Sequence, residues 1–287
     1  MLENWQVDPP PPFRNQLLKW VGNKQRFAHE ICAALPRSFG TYHEPFLGSG
    51  AVLGTLAPSA GAGSDCFKPL VGIWQTLKTD PELVERWYEE RWEEWAVGGS
   101  EAYEQIKASY NAEPNPADLL FLSRSCYGGV VRFRQRDGYM STPCGSHRPI
   151  TPASFVRRVQ EWSARVRDTR FLALDYREAI ALAAPGDVVY CDPPYSHTQA
   201  ILYGAQAFSL RELFQAIGEA KDRGVYVALS IDGTKRSGRL ICDVPVPEDL
   251  FERERFINCG RSMLRRFQLA GESLEGEVVA DRLLLTY

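Results

Sequence analysis

Residues 187 to 195 read Asp187-Val188-Val189-Tyr190-Cys191-Asp192-Pro193-Pro194-Tyr195, and the fold turns on this stretch. Val188 to Cys191 is a continuous apolar run, the pattern of a strand covered on both faces in a parallel sheet. Two successive prolines forbid its continuation, because neither carries an N–H for a neighbouring strand. The chain therefore leaves the sheet at Asp192 in a stiff, extended loop that offers acceptors and lacks backbone donors at 193 and 194. Open α/β sheets bind ligands at the carboxyl ends of their strands, which makes Asp192 a candidate site residue. The competing reading is a proline-terminated strand with an incidental acid.

Outward from this strand, the same alternation recurs. Thr41 to Phe46 reads as a strand running into Gly48-Ser49-Gly50, and Gly63 to Cys66, Phe171 to Leu174 and Val225 to Ser230 read as further strands. Between them, Phe27, Ile31, Ala34 and Leu35 recur at helical spacing, as do Phe155, Val156, Val159, Trp162 and Val166, and Leu210, Leu213, Phe214 and Ile217. Strands alternating with helices imply an α/β protein with a mostly parallel sheet, here expected to have seven strands, with Arg282 to Tyr287 closing it as a late strand. The polyproline stretch Pro9 to Pro12 suits a surface arm, so the folded part is expected to begin near Phe13. Residues 80–150 break the alternation and read as an insertion between two halves of one domain, 13–79 and 151–287.

The composition, 44% hydrophobic and 24% charged, belongs to an ordinary globular protein and excludes disordered or fibrous classes. No apolar run reaches the roughly 18 residues of a membrane span, and the start lacks a basic segment followed by an apolar one. A cytoplasmic location with no membrane partner is the expectation. The seven cysteines form no C-x-x-C pair or Cys/His cluster, so neither a disulfide framework nor a metal site is expected. The net charge of -3 averages two opposed blocks: nine acids against two arginines from Asp80 to Glu104, and ten arginines against three acids from Ser123 to Arg170. The acidic block reads as a solvated helix face. The arginine block is a candidate phosphate-facing segment, and within it Arg132, Arg134 and Arg136 alternate before Asp137-Gly138, a hairpin signal that would set all three on one face.

Asp192 supplies a carboxylate, Pro193 a backbone carbonyl and Tyr195 a flat face for stacking, with Pro194 holding the loop extended. That set suits a planar ring bearing an amino group. An aromatic amine is a poor nucleophile because its lone pair is delocalised, and two acceptors on its hydrogens favour the pyramidal, attacking form. In Glu44-Pro45-Phe46-Leu47-Gly48-Ser49-Gly50, glycines after a strand let a ligand approach the backbone at a helix N-terminus. A phosphate ligand is disfavoured, since Glu44 would repel it and neither G-x-G-x-x-G nor G-K-[ST] is present. Asp65, ending a second strand, stands where an acid binds ribose hydroxyls in nucleotide folds.

Taken together, these motifs resemble the Dam-like adenine-specific DNA methyltransferases with the α order of motifs, over nearly the whole chain from about Gln16. Leu18-Lys19-Trp20-Val21-Gly22-Asn23-Lys24 is similar to the family's N-terminal motif, which implies that Trp20, Gly22 and Lys24 hold the methionine end of S-adenosylmethionine. Glu44, Pro45, Phe46, Gly48 and Gly50 correspond to its cofactor loop, Asp65 to its ribose-binding acid, and Asp175-Tyr176 to the pair beside the cofactor adenine. Asp192-Pro193-Pro194-Tyr195 corresponds to the catalytic motif. The resemblance implies a class I S-adenosylmethionine-dependent methyltransferase fold, Rossmann-like, in which 80–150 is the target-recognition insertion and Arg124, Arg132, Arg134 and Arg136 meet DNA. It implies adenine-N6 methylation of a flipped base, with double-stranded DNA as partner, no metal, and a cognate restriction or defence system among the settings of such enzymes. Asn23 stands where the family has a second glycine, and Phe67 where it has an asparagine. For single residues, plainer readings stand alongside: Lys24 as a solvated lysine, Trp20 as a core aromatic, Asp175 as a helix cap. At the level of function the alternatives are a methyltransferase for RNA, protein or cytosine, and a non-catalytic DNA-binding protein on this scaffold.

Overall fold

A computed structural model describes residues 10–134, 136–194, 208–235, 240–241, 244–261 and 278–287. The parallel strands β1 (Tyr42–Glu44), β2 (Gly61–Ser64), β3 (Thr169–Leu172), β4 (Val188–Cys191) and β5 (Tyr226–Lys235) are joined by α2 (Ala51–Leu56), α3 (Lys68–Thr79), α7 (Pro152–Val166), α8 (Tyr176–Ala181) and α9 (Leu210–Asp222). A short helix, α1 (Ala28–Cys32), precedes β1. The strand order is β3-β2-β1-β4-β5-β8-β7, with β7 at Arg253–Arg261, β8 at Val278–Leu285 and the two-residue β6 (Leu240–Ile241) pairing with β5 off this path. Every pairing from β3 to β5 is parallel, and β8 runs antiparallel to both of its neighbours, β5 and β7. The mostly parallel seven-stranded sheet read from the sequence is thus present.

Two expectations change. The apolar C-terminus does not close the sheet; β8 is inserted between β5 and β7, where Leu283, Leu284 and Leu285 are all buried. A strand buried on both faces has no reason to alternate, so its composition gave its type but not its place. The closing strand is β7, whose Arg253, Glu254 and Arg255 obscured a strand in the sequence; charged residues are common on sheet edges because they discourage further pairing.

Local signals explain the helix starts. Asp80, Asn115 and Thr151 each cap a helix through the side chain and precede a proline at the first helical position: α4 (Pro81–Gly98), α6 (Pro116–Ser125) and α7. Strand alternation on β4 splits the core in two. Val188 and Tyr190 face a layer containing α1, α2, α3 and α7, whereas Val189 and Cys191 face α8 and α9. The helices α4, α5 (Ser100–Ala112) and α6 extend the first layer, with Tyr88 of α4 stacked on Phe155 of α7 at 4.0 Å. Glu89, Glu90, Glu93 and Glu94 of α4 are exposed, the solvated face anticipated for the acidic block.

Candidate active site

The sheet reverses its winding between β1 and β4, and their carboxyl ends carry Glu44 and Asp192 side by side. Such a reversal opens a crevice because the flanking connections leave on opposite faces. Around it, the 45–50 loop is held by the backbone: Leu47 N–H donates to Ser64 O and Gly50 N–H to Leu47 O. Gly48 and Gly50 have φ of 46° and 59°, in the left-handed region that disfavours a side chain. A Cβ at Gly48 would stand 3.2 Å from the Trp20 indole, so the buried Trp20 lines the loop. Asp65, just past β2, accepts from Gly48 N–H at 3.1 Å and from Phe67 N–H at 3.0 Å, tying the loop to the second strand. Burial raises the Asp65 carboxyl above its usual range, against the pull of these amides.

Glu44 is buried, and its Oε2 accepts from Tyr42 O–H at 2.7 Å and Leu53 N–H at 2.8 Å. Burial pushes its carboxyl up to about 8, so it is largely protonated at neutral pH. Glu44 is therefore not a bare carboxylate that repels anions; it is a clamp between β1 and the start of α2. Pro45 is buried behind it.

Lys24 is 4% exposed, and its ammonium lies 2.8 Å from Asp192 Oδ1, 3.1 Å from Gly22 O and 3.7 Å from Asp281 Oδ2. The solvated-lysine reading is excluded by this burial. Its charge is directed at the loop after β4, a contact that the cofactor-binding expectation did not include. Gly22 takes a φ of 76°, whereas Asn23 is not among the positive-φ residues, which is why a side chain is accommodated there. Beneath Asp192, the buried Tyr190 hydroxyl is 2.9 Å from Ser230 Oγ. Pro193 is buried and Pro194 half-buried, while Tyr195 lies outside the described residues.

Phe46 stacks on Tyr176 with ring centroids 5.1 Å apart, and Phe208 meets both rings, forming an aromatic wall beside the loop. Asp175, expected beside a cofactor adenine, caps α8 in a capping box with Glu178 and pairs with Arg177 Nε at 2.8 Å. The plainer helix-cap reading therefore describes its contacts. Asp281 was missed: it lies one residue before the run Arg282 to Tyr287 that was read as a late strand, and its signal was an acid in phase with the buried Leu283 and Leu285.

The arginine block divides. Arg124 donates to Gln16 O and Leu17 O and lies over the Phe155 ring, so it braces the N-terminal segment and does not present itself to DNA as expected. Arg158 also donates to Gln16 O, and Arg165 to Gly54 O. A compact hairpin is present, with Phe133 bridged to Met140 and Gly138 in the left-handed region. It carries exposed Arg132 and Arg136 and half-buried Arg134, the last two paired with Asp137.

Among the described residues, no cluster of three His, Cys, Asp or Glu side chains could hold a metal, and no helix is long and apolar enough to cross a membrane. The chain is 26% identical over 271 residues to the DNA N-6-adenine-methyltransferase of Escherichia phage P1, covering 88% of this chain but only 34% of that protein. It is 26% identical to the DNA adenine methylase of Vibrio cholerae, covering 78% of this chain and 83% of the other, and 25% identical to the Type II methyltransferase M1.LlaDCHI of Lactococcus lactis, covering 74% and 79%. Residues 20–255 match a single family over most of the chain, in keeping with a mostly parallel sheet whose glycine loop and Asp192 meet at the reversal of winding: the chain belongs to the D12 class N6 adenine-specific DNA methyltransferases.

Proposed function

We propose that this adenine-specific DNA methyltransferase uses S-adenosylmethionine and methylates the exocyclic amine of an adenine rotated out of the duplex, with Asp192 holding that amine. The observation that carries the reading is the Lys24–Asp192 pair at 2.8 Å, set at the carboxyl end of β4 beside a glycine loop on β1. The donor set fits the cofactor. Asp65 offers a carboxylate to ribose hydroxyls, Gly48 and Gly50 keep the loop free of side chains, and Trp20 with Phe46 and Tyr176 supplies aromatic surface for adenosine. Bound there, the cofactor supplies an electrophilic methyl on a sulfonium.

The protein's own work is positioning and electrostatics. An amine inside a duplex is out of reach, so the base must be extruded, at a cost of a few kcal/mol of stacking and pairing. Asp192 and the Pro193 carbonyl then accept the amine hydrogens and orient its lone pair. Because both acceptors are fixed by the strand end and the prolines, little reorganisation remains at the moment of reaction. Tyr195 is assigned the stacking face of the base. Arg132, Arg134 and Arg136 are assigned to DNA on the hairpin, the exposed part of the arginine block; Arg124 is not.

The test is direct. Adenine methylation should be mapped in DNA from cells expressing the wild type and Asp192→Ala. New N6-methyladenine at a defined sequence with the wild type alone supports the reading, and methylated cytosine or unmodified DNA with the wild type refutes it.

A further inference from the structure

Asp281 has no part in the reaction as described, yet it shares the buried cation. It comes from β8, opposite Asp232 of β5 and Ile257 of β7, beyond the level of the β4 end opposite Leu229. Because β8 runs antiparallel to β5, its early residues overhang the carboxyl ends of the parallel strands. Both flanking strands slip register beside it, β5 between Asp232 and Thr234 and β7 between Asn258 and Gly260. Bulges of this kind re-aim side chains next to sites. The Asp281 carboxylate, 15% exposed, reaches 3.7 Å from the Lys24 ammonium.

The arrangement creates a conflict at Asp192. Its carboxylate is to accept from the adenine amine, but an ammonium at 2.8 Å already draws on it. Drawing the Lys24 ammonium away from Asp192 with no second carboxylate to receive it would leave a buried cation without its counter-charge, which is strongly unfavourable. Lysine has a flexible stem and three donors, so a small swing converts the longer contact with Asp281 into a hydrogen bond. We infer that Asp281 is a positioning residue for methyl transfer: it takes the Lys24 ammonium when adenine enters, leaving Asp192 as a full acceptor while the cation stays paired. This rests on the role proposed for Asp192. No covalent change occurs at Asp281 or Lys24. The bond that forms is amine nitrogen to methyl carbon, the bond that breaks is methyl carbon to sulfur, sulfur keeps the electron pair, and the methylated amine releases its extra N–H proton to solvent.

A crystal structure of the wild type with S-adenosylhomocysteine and target duplex gives the first test, and needs no variant to fold. The expected result has Lys24 Nζ hydrogen-bonded to Asp281 and withdrawn from Asp192. An ammonium still on Asp192, or turned to the cofactor carboxylate, overturns the inference. In single-turnover methyl transfer, Asp281→Asn should be slower by about tenfold or more, and Asp281→Glu should recover most of the rate. Affinity for S-adenosylhomocysteine, measured by calorimetry, should stay within about threefold. In a Lys24→Met background, Asp281→Asn should cost nothing further, because residues acting as one unit are non-additive. Additive losses, or a wild-type rate in Asp281→Asn, overturn it. A wild type that methylates no adenine would instead defeat the reading of Asp192, so the two failures are distinguishable.

Discussion

Phe133, at the bridged base of the arginine hairpin, packs edge-on against Phe67, two residues past Asp65, with ring centroids 5.4 Å apart. Phe67 in turn meets Trp20 at 6.3 Å, and Trp20 lies against Gly48, so one line of aromatic contacts joins the hairpin to the 45–50 loop. Phe133→Ala removes a pair whose geometry contributes about 0.5–1.5 kcal/mol beyond buried area. DNA affinity measured with and without S-adenosylhomocysteine should lose much of its cofactor dependence in this variant, while Phe133→Leu retains more of it. Equal cofactor enhancement in all three proteins would refute coupling by this route.

The hairpin arginines divide by what they touch. An arginine reading a guanine edge should, as alanine, relax specificity at one base pair by about 1–3 kcal/mol, whereas a phosphate contact should weaken all sequences alike and reduce the salt slope. Arg132→Ala and Arg136→Ala, at exposed positions, are expected to show one of these patterns. Arg124→Ala should lower the melting temperature instead, because it unties Gln16 and Leu17. Binding titrations at two salt concentrations, beside thermal melts, check all three.

Gly54 of α2 faces Trp162 of α7 so closely that a Cβ would stand 2.2 Å from the indole. Neither ring nor helix can yield in a packed core, and overpacking of this kind costs about 1–3 kcal/mol. Gly54→Ala should therefore lower stability in urea unfolding, despite alanine's better helix propensity. A gain in stability would show that α2 and α7 can part.

How much of this was legible follows from the physics of each signal. Val188 to Cys191 and the two prolines act locally, so the strand and its end at Asp192 could be read without tertiary information. The same holds for the Asp80, Asn115 and Thr151 caps. Arg124 and Lys24 could not be placed, because an arginine or lysine is written the same way whether its head meets water, a carbonyl or an aspartate. Asp281 depends on a strand pairing made across the sheet, which no short-range pattern encodes.

Glu44 gives a pH signature. Its carboxyl titrates near 8 in the folded protein against an ordinary 4.5, because burial opposes the charge. Between those values the native state holds more protons than the unfolded chain, so stability is fully present below the lower value and declines as pH rises to the upper one. Each pH decade inside that window lowers stability by roughly 1.4 kcal/mol. Glu44→Gln, which cannot ionise, should flatten the decline of unfolding free energy across this window. An unchanged slope would mean that Glu44 is charged in the native state.

In its proposed role Asp192 separates binding from chemistry, because it would touch the reacting amine and leave the 45–50 loop and the hairpin alone. Asp192→Asn keeps an acceptor oxygen but removes the charge, and Asp192→Ala removes both. Either change leaves the Lys24 ammonium to Gly22 O and Asp281, so the cation keeps partners and the fold should survive. Affinity for S-adenosylhomocysteine and for DNA is expected to stay within about tenfold of wild type, since ~1.4 kcal/mol is what a ground-state contact here accounts for. The chemical step should respond differently, because a fixed acceptor acts most strongly where positive charge develops on the amine nitrogen. Single-turnover methyl transfer in rapid quench, with cofactor and DNA saturating, should fall by about 100-fold or more in Asp192→Ala, the scale of losing a preorganised electrostatic group. Asp192→Asn should fall less, by the share of that effect owed to the charge. Tyr195→Ala should differ in kind, weakening capture of the extruded base by about 1–3 kcal/mol of stacking, which a higher DNA concentration partly overcomes. A near-wild-type rate in Asp192→Ala would mean that the amine is activated elsewhere, and the assignment of the loop after β4 as the catalytic element would have to be abandoned.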